Sequence, residues 1–276
     1  MTRSPPYSLS VALIHNNDPE RLKRALPAAR AIGSAFGGDV EEISYQPPVL
    51  PLSRSAAFAR DMQMYKLGRA WSAYRLGQPA RRTTPNPKQI WRSAVNHFSL
   101  SRRGPRIRRA MCIESYLTHK HIACWKRLND RSHFILALED DALMLDNSIP
   151  GLSSILDFVI TRNTPLVYID LAGGFDVKRI VPPQLIVREH PALIEFSRIV
   201  TNTTCSYLIS SALARQFLKI VAQDPSMANL PPDWMINDLA MRLNPDRDST
   251  PILCAHASPS IFVHGSVQGV YRSGLR

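Results

Sequence analysis

A chain of 276 residues, 45% of them apolar, is long enough for one large α/β domain and carries ample material for a core, which excludes global disorder. Its 34 Lys and Arg against 22 Asp and Glu leave a formal charge of +12, favouring an anionic partner such as nucleic acid, lipid headgroups or a nucleotide-linked substrate. Cys112, Cys124, Cys205 and Cys254 form no CxxC pair, which argues against a zinc ribbon or disulfide scaffold and for a reducing compartment. No stretch reaches the roughly 20 apolar residues of a spanning helix.

Residues 9–14 read as a first strand, followed by a helix with Asp18 as N-cap and Pro19 at its first position. Leu22, Ala25, Leu26 and Ala29 recur at helical spacing until Gly33, and residues 40–45 read as a weaker strand rich in acids. Strand, capped helix and strand make a βαβ opening. Composition then changes. Between residues 46 and 110, Arg54, Arg60, Lys66, Arg69, Arg75, Arg81, Arg82, Lys88, Arg92, Arg102, Arg103, Arg106, Arg108 and Arg109 face one acid, Asp61. Within a single domain spanning 1–276, this segment reads as a basic insert, with a helix or two over 56–76 ended by residues 77–79. Residues 81–105 read as a loop or appended helical insert.

Residues 111–128 read as a helix with Ile113, Leu117, Cys124 and Leu128 on one face. The apolar run 134–138 has strand length and does not alternate, as a strand buried on both faces would not. A helix over 149–160, a strand over 166–171, Gly173-Gly174 and two short strands near 185–187 and 193–196 follow. Residues 207–210 form a strand, with Ser210 capping a helix to about residue 222. Residues 230–238 open an apolar helix carrying Asp233 and Asp238, and a short strand in the tail ends at His264.

The run 134–138 ends in Glu139, Asp140 and Asp141, three adjacent anions whose repulsion a shared cation relieves. In extended backbone Glu139 and Asp141 point to one side and Asp140 to the other, so the first and third can chelate one ion. Oxygen ligands suit Mg²⁺ or Mn²⁺. The alternative is a solvated acidic turn.

Three pieces stand in a definite order: Tyr116-Leu-Thr118-His119 in a helix, Ile135-Leu-Ala-Leu-Glu139-Asp140-Asp141, and Pro231-Pro-Asp233-Trp after a Tyr-Leu-Ile-Ser strand and helix. This order resembles the family 25 glycosyltransferases, the lipopolysaccharide and lipooligosaccharide group related to collagen galactosyltransferases. Thr118 stands where that family has Ser. The resemblance implies an α/β fold with a GT-A-like nucleotide-binding mixed sheet flanked by helices, and transfer of a hexose from a nucleotide sugar, typically UDP-linked, to a glycan or glycolipid acceptor. It implies a divalent metal, Mn²⁺ or Mg²⁺, a role in bacterial surface polysaccharide, and a cytoplasmic enzyme peripheral at the inner membrane.

On this reading Glu139 and Asp141 hold the metal, Asp140 binds ribose or donor sugar, and Thr118 and His119 bind the diphosphate or base. Asp233 takes the proton of the acceptor hydroxyl. Asp233 has a second reading as a helix N-cap, and His119 as a packed core residue. His264 could add a metal ligand from the tail, though the sequence weighs against it. The basic insert suits an anionic membrane or the acceptor, or is a solvated insertion. Two other functions compete. One is a basic nucleic-acid-binding protein, disfavoured by the absence of an RRM, KH or helix-turn-helix signature; the other is an inactive glycosyltransferase-like binding module.

Overall fold

A computed structural model describes residues 7–44, 50–75, 84–98, 103–172, 183–201, 203–243 and 252–271. Strand β1 (Leu9–His15), buried along its whole length, pairs in parallel with β2 (Val40–Ser44) on one side and β3 (Phe134–Glu139) on the other. Helix α1 (Pro19–Phe36) connects β1 to β2, giving the expected βαβ opening. The Asp18 carboxylate accepts from the amides of Glu20 and Arg21, and Pro19 occupies a position that needs no donor. The helix runs past Gly33 to Phe36. Gly37, with φ 63°, supplies the left-handed residue that closes it.

The chain then contributes β4 (Ala142–Met144), β5 (Val167–Asp170), β6 (Ile186–His190), β7 (Leu193–Phe196), β8 (Ser206–Ser210), β9 (Leu253–Ala257) and β10 (Phe262–His264). Eight strands form one mixed sheet in the order β2-β1-β3-β8-β5-β9-β7-β6, and β4 pairs separately with β10. The pairings make six strands of the large sheet run in the direction of β1, while β7 and β8 run the other way. The start of β8 therefore lies beside the carboxyl end of β3.

Helices cover both faces. Along β3, Phe134, Leu136 and Leu138 join one apolar cluster with α1 and α5 (Ser148–Arg162). Ile135 and Ala137 join the other, with α2 (Arg54–Arg75), α4 (Arg103–Leu128), α6 (Ser211–Gln223) and α7 (Pro232–Leu243). Ser210 caps α6, accepting from the amide of Leu213. Trp125, Tyr168, Tyr207 and Phe217 are fully buried between sheet and helices, each contributing about 2–3 kcal/mol of apolar burial.

The basic segment is integrated into this core. Leu67, Ala70 and Tyr74 of α2 belong to the α4-side cluster, and the guanidinium of Arg198 sits 4.6 Å from the Tyr74 ring centre. Part of the stretch read as loop or insert is a helix, α3 (Pro87–Phe98), and α4 starts at Arg103 instead of residue 111. The Gly173-Gly174 pair and the helix stop at 77–79 lie outside the described residues. All four cysteines are buried and free, and no helix among the described residues is long and apolar enough to cross a membrane.

Candidate functional site

The alternation that sorts β3 between two apolar faces continues to its last residue. Glu139 emerges on the α4 side, where Nε2 of His121 lies 3.2 Å from its Oε1 and Thr204 Oγ1 donates to the same oxygen at 2.6 Å. Behind His121, Nδ1 stands 2.9 Å from the Tyr207 hydroxyl, which accepts from Trp125 Nε1 at 3.1 Å. Burial alone would push the Glu139 carboxyl up. The hydrogen bond and charge of His121, with the Thr204 bond, hold it below the usual carboxylate range.

Asp140 turns to the opposite side, as period two requires. Its Oδ1 receives Nη1 of Arg21 at 2.9 Å and its Oδ2 the amide of Asn16 at 3.1 Å. The residue expected to bind ribose or donor sugar is thus engaged with the β1–α1 connection. Lys120 fixes the same connection, donating to His15 O at 2.9 Å and to the Asn16 side chain. Burial lowers its ammonium to a pKa of about 8, against the opposing pull of Asp140 and Glu139.

Asp141 lies in a turn, so the extended geometry that would align it with Glu139 ends one residue too soon. The turn directs it to the tail. Gly265 donates its amide to Asp141 O at 2.8 Å, and Ser266 Oγ donates to Oδ2. A Cβ at Gly265 would come within 2.7 Å of the Tyr271 ring and 3.0 Å of Asp141 O, so a larger residue would have to displace that ring. Nδ1 of His264 lies 3.3 Å from Asp141 Oδ2 without forming a hydrogen bond, and Cys205 Sγ lies 3.8 Å from Oδ1. Burial and then the Glu139 charge push the Asp141 carboxyl up, against His264, Ser266 and Arg21. Burial likewise pushes the Cys205 thiol well up.

Asp141, Cys205 and His264 offer ligand atoms that all lie within 4.8 Å of one another, a set able to hold a metal ion. A carboxyl pushed up by burial beside an imidazole nitrogen that makes no hydrogen bond is a donor set that suits a cation. The metal-competent group thus contains one of the two predicted ligands. It gains His264, which the sequence weighed against, and Cys205, which precedes β8.

Asp233 lies in the first turn of α7, not at its cap position, since α7 starts at Pro232. Burial first, then the charges of Glu114 and Glu139, raise its carboxyl to a pKa of about 6. It thus shares the electrostatic environment of Glu139. Thr118 is fully buried; its hydroxyl donates to Leu230 O, joining α4 to the turn that leads into Asp233. His119 is exposed, its ring centre 6.3 Å from that of Tyr116. Two residues on a helix differ by about 200°, so the helix that aims His121 at Glu139 aims His119 elsewhere.

Sequence reasoning missed His121, Lys120, Thr204 and Cys205. His121 carries a readable signal: it falls between Leu117 and Cys124 on the inward stripe of α4. A cleft lined by His133, Phe134, Asn163, Ser210 and Arg215 opens at the amino-terminal end of β3, away from the carboxylates. No known family model matches the chain, and no curated protein matches its sequence.

Proposed function

We propose that the protein is a metal-dependent glycosyltransferase with a GT-A-like arrangement, moving a hexose from a UDP-linked donor to a glycan or glycolipid acceptor, as its resemblance to family 25 implies. The observation that supports this reading best is the convergence of Asp141 and His264 beside Glu139, with Asp233 inside the same field. Ligands of open α/β sheets bind beyond the carboxyl ends of strands, which is where β3 delivers these groups.

Asp141 and His264 would hold Mn²⁺ or Mg²⁺, with the Cys205 thiol alongside. A bound divalent cation would neutralise charge gathering on the departing nucleoside diphosphate. The His121 and Thr204 contacts to Glu139 both go to Oε1, which leaves Oε2 for the cation or a sugar hydroxyl. Lys120, Arg21 and Asp140 keep the β1–α1 connection in place along the donor side. Asp233 takes the proton from the attacking acceptor hydroxyl, and a conjugate-acid pKa of about 6 leaves it ionised at neutral pH.

Calorimetry with UDP, with and without Mn²⁺, tests this reading. Metal-dependent binding that Asp141→Ala removes is expected, together with Mn²⁺-dependent turnover of a UDP-hexose. Salt-sensitive RNA binding with no response to UDP would overturn it, and UDP binding without turnover would reduce the protein to a binding module.

A further inference from the structure

Helix α3 is assembled inside out. A surface helix ordinarily buries its apolar stripe, yet the buried residues of α3 are Ser93 and His97, both with no exposed surface. Asp61 of α2 holds them there: Ser93 Oγ donates to its Oδ2 at 2.9 Å, and His97 Nε2 lies 2.8 Å from the same oxygen. The apolar residues face outward. Trp91 is 72% exposed, Phe98 48%, and Ile90 and Val95 42% each. Trp91, Val95 and Phe98 follow at i, i+4 and i+7 and so form one stripe. Phe58 supports its end, meeting Phe98 edge-on at 5.6 Å.

Cations border this stripe. Lys88 and Arg92, both exposed and four residues apart, line its edge. Arg54 reaches Phe98 O from α2. The one acid of residues 46–110, Asp61, is spent inward on Ser93 and His97. A helix with Trp and Phe outward, edged by Lys and Arg, has the composition of an interfacial helix.

We infer that α3 docks the protein on a bilayer containing anionic lipid, with Ile90, Trp91, Val95 and Phe98 entering the headgroup boundary while Lys88 and Arg92 engage lipid phosphates. Charge complementarity selects this occupant. A second copy of the chain would bring the same cationic edges face to face in a symmetric interface. The inference goes beyond glycosyl transfer and does not rest on it.

Sedimentation with phosphatidylcholine vesicles, with or without phosphatidylglycerol, tests it. Binding is expected only to the phosphatidylglycerol vesicles and weakens with salt. Trp91→Ser, and separately the pair Lys88→Glu and Arg92→Glu, should each lower partitioning at least about tenfold. All three side chains are exposed, so thermal melting should not move. In the unaltered protein, brominated acyl chains should quench tryptophan fluorescence. Trp91→Phe should keep vesicle binding and lose that quenching, because Trp125 is fully buried and Trp71 and Trp234 pack against the core. No binding to anionic vesicles would overturn the inference. So would binding indifferent to Trp91→Ser, a dimer in ultracentrifugation that Trp91→Ser dissociates, or RNA binding that displaces no lipid and requires Trp91.

Discussion

Nε2 of His121 and Oε1 of Glu139 meet at 3.2 Å inside the sheet–helix interface, with the imidazole backed by Tyr207 and Trp125. With Trp125 Nε1–H donated to the Tyr207 hydroxyl and His121 Nε2–H donated to the carboxylate, the imidazole is fixed from behind and aimed at Glu139. A buried carboxylate of depressed pKa is the outcome.

His121→Ala leaves Glu139 with Thr204 alone and should cost about 2–4 kcal/mol in urea unfolding. Combining it with Glu139→Gln should cost less than the two separate losses together. The folded pKa of Glu139 is depressed, so its stabilising contribution is present above the unfolded value and is lost as pH falls through the folded one. Without His121 the depression shrinks, so that acid loss should be smaller and complete at a higher pH. Equal acid limbs in the two proteins would show that the pair does not hold the carboxylate down.

Arg21 and Asp140 connect α1 to the end of β3 in the same way on the other face. Asp140 is buried and Arg21 largely so. Arg21→Ala strands a buried carboxylate on one amide and should destabilise by about 2–4 kcal/mol, whereas Arg21→Ala in an Asp140→Asn background should cost clearly less. Chemical unfolding of the four proteins decides this. Additive losses would mean that Arg21 acts through packing, including its position 5.2 Å from the Tyr271 ring centre.

The parts of this site that sequence could reveal are those governed by local periodicity. The β1–α1–β2 opening, the Asp18 and Ser210 caps and the strand ending at Glu139 follow from patterns within a few residues. So does the divergence of Glu139 and Asp140. Asp141 breaks from that pattern because the chain turns there toward β4, whose three residues pair, among the described residues, with β10 far along the chain. Thr204 and Cys205 reach the site because β8 runs antiparallel beside β3, an adjacency that no local pattern encodes. His119 and His121 look alike in sequence, and only the inward stripe of α4 separates them. The strong amphipathicity of α3 is equally legible, but which face turns inward depends on Asp61, 32 residues before Ser93.

Metal occupancy should be visible without any activity. Mn²⁺ at about a hundredfold over its dissociation constant should add about 2.7 kcal/mol to unfolding stability, and a chelator should remove it. His264→Ala and Asp141→Asn should each abolish the shift. Co²⁺ distinguishes the role of Cys205: a thiolate–cobalt charge-transfer band would make it a ligand, while its absence, with the shift kept in Cys205→Ser, would leave Asp141 and His264 as the protein ligands. A Mn²⁺ response unchanged in both the Asp141 and His264 variants would place the ion elsewhere.

Asp233 links protonation to both rate and stability, and the two run in opposite senses. As the proposed base it works ionised, so transfer should rise with pH through about 6, and Asp233→Asn should lower the rate about 10²–10⁴-fold. For folding, a carboxyl whose pKa is raised on burial favours the native state below its unfolded value, and that contribution is lost as pH rises through about 6. Ionised Asp233 therefore strains the folded chain beside Glu114 and Glu139. Asp233→Asn should raise stability at pH 8 by on the order of 2 kcal/mol and leave it nearly unchanged at pH 4. Thermal melts at the two pH values, beside the pH–rate profile, separate this from the cap reading. Loss of a helix cap would destabilise at pH 8 and would leave no limb near pH 6.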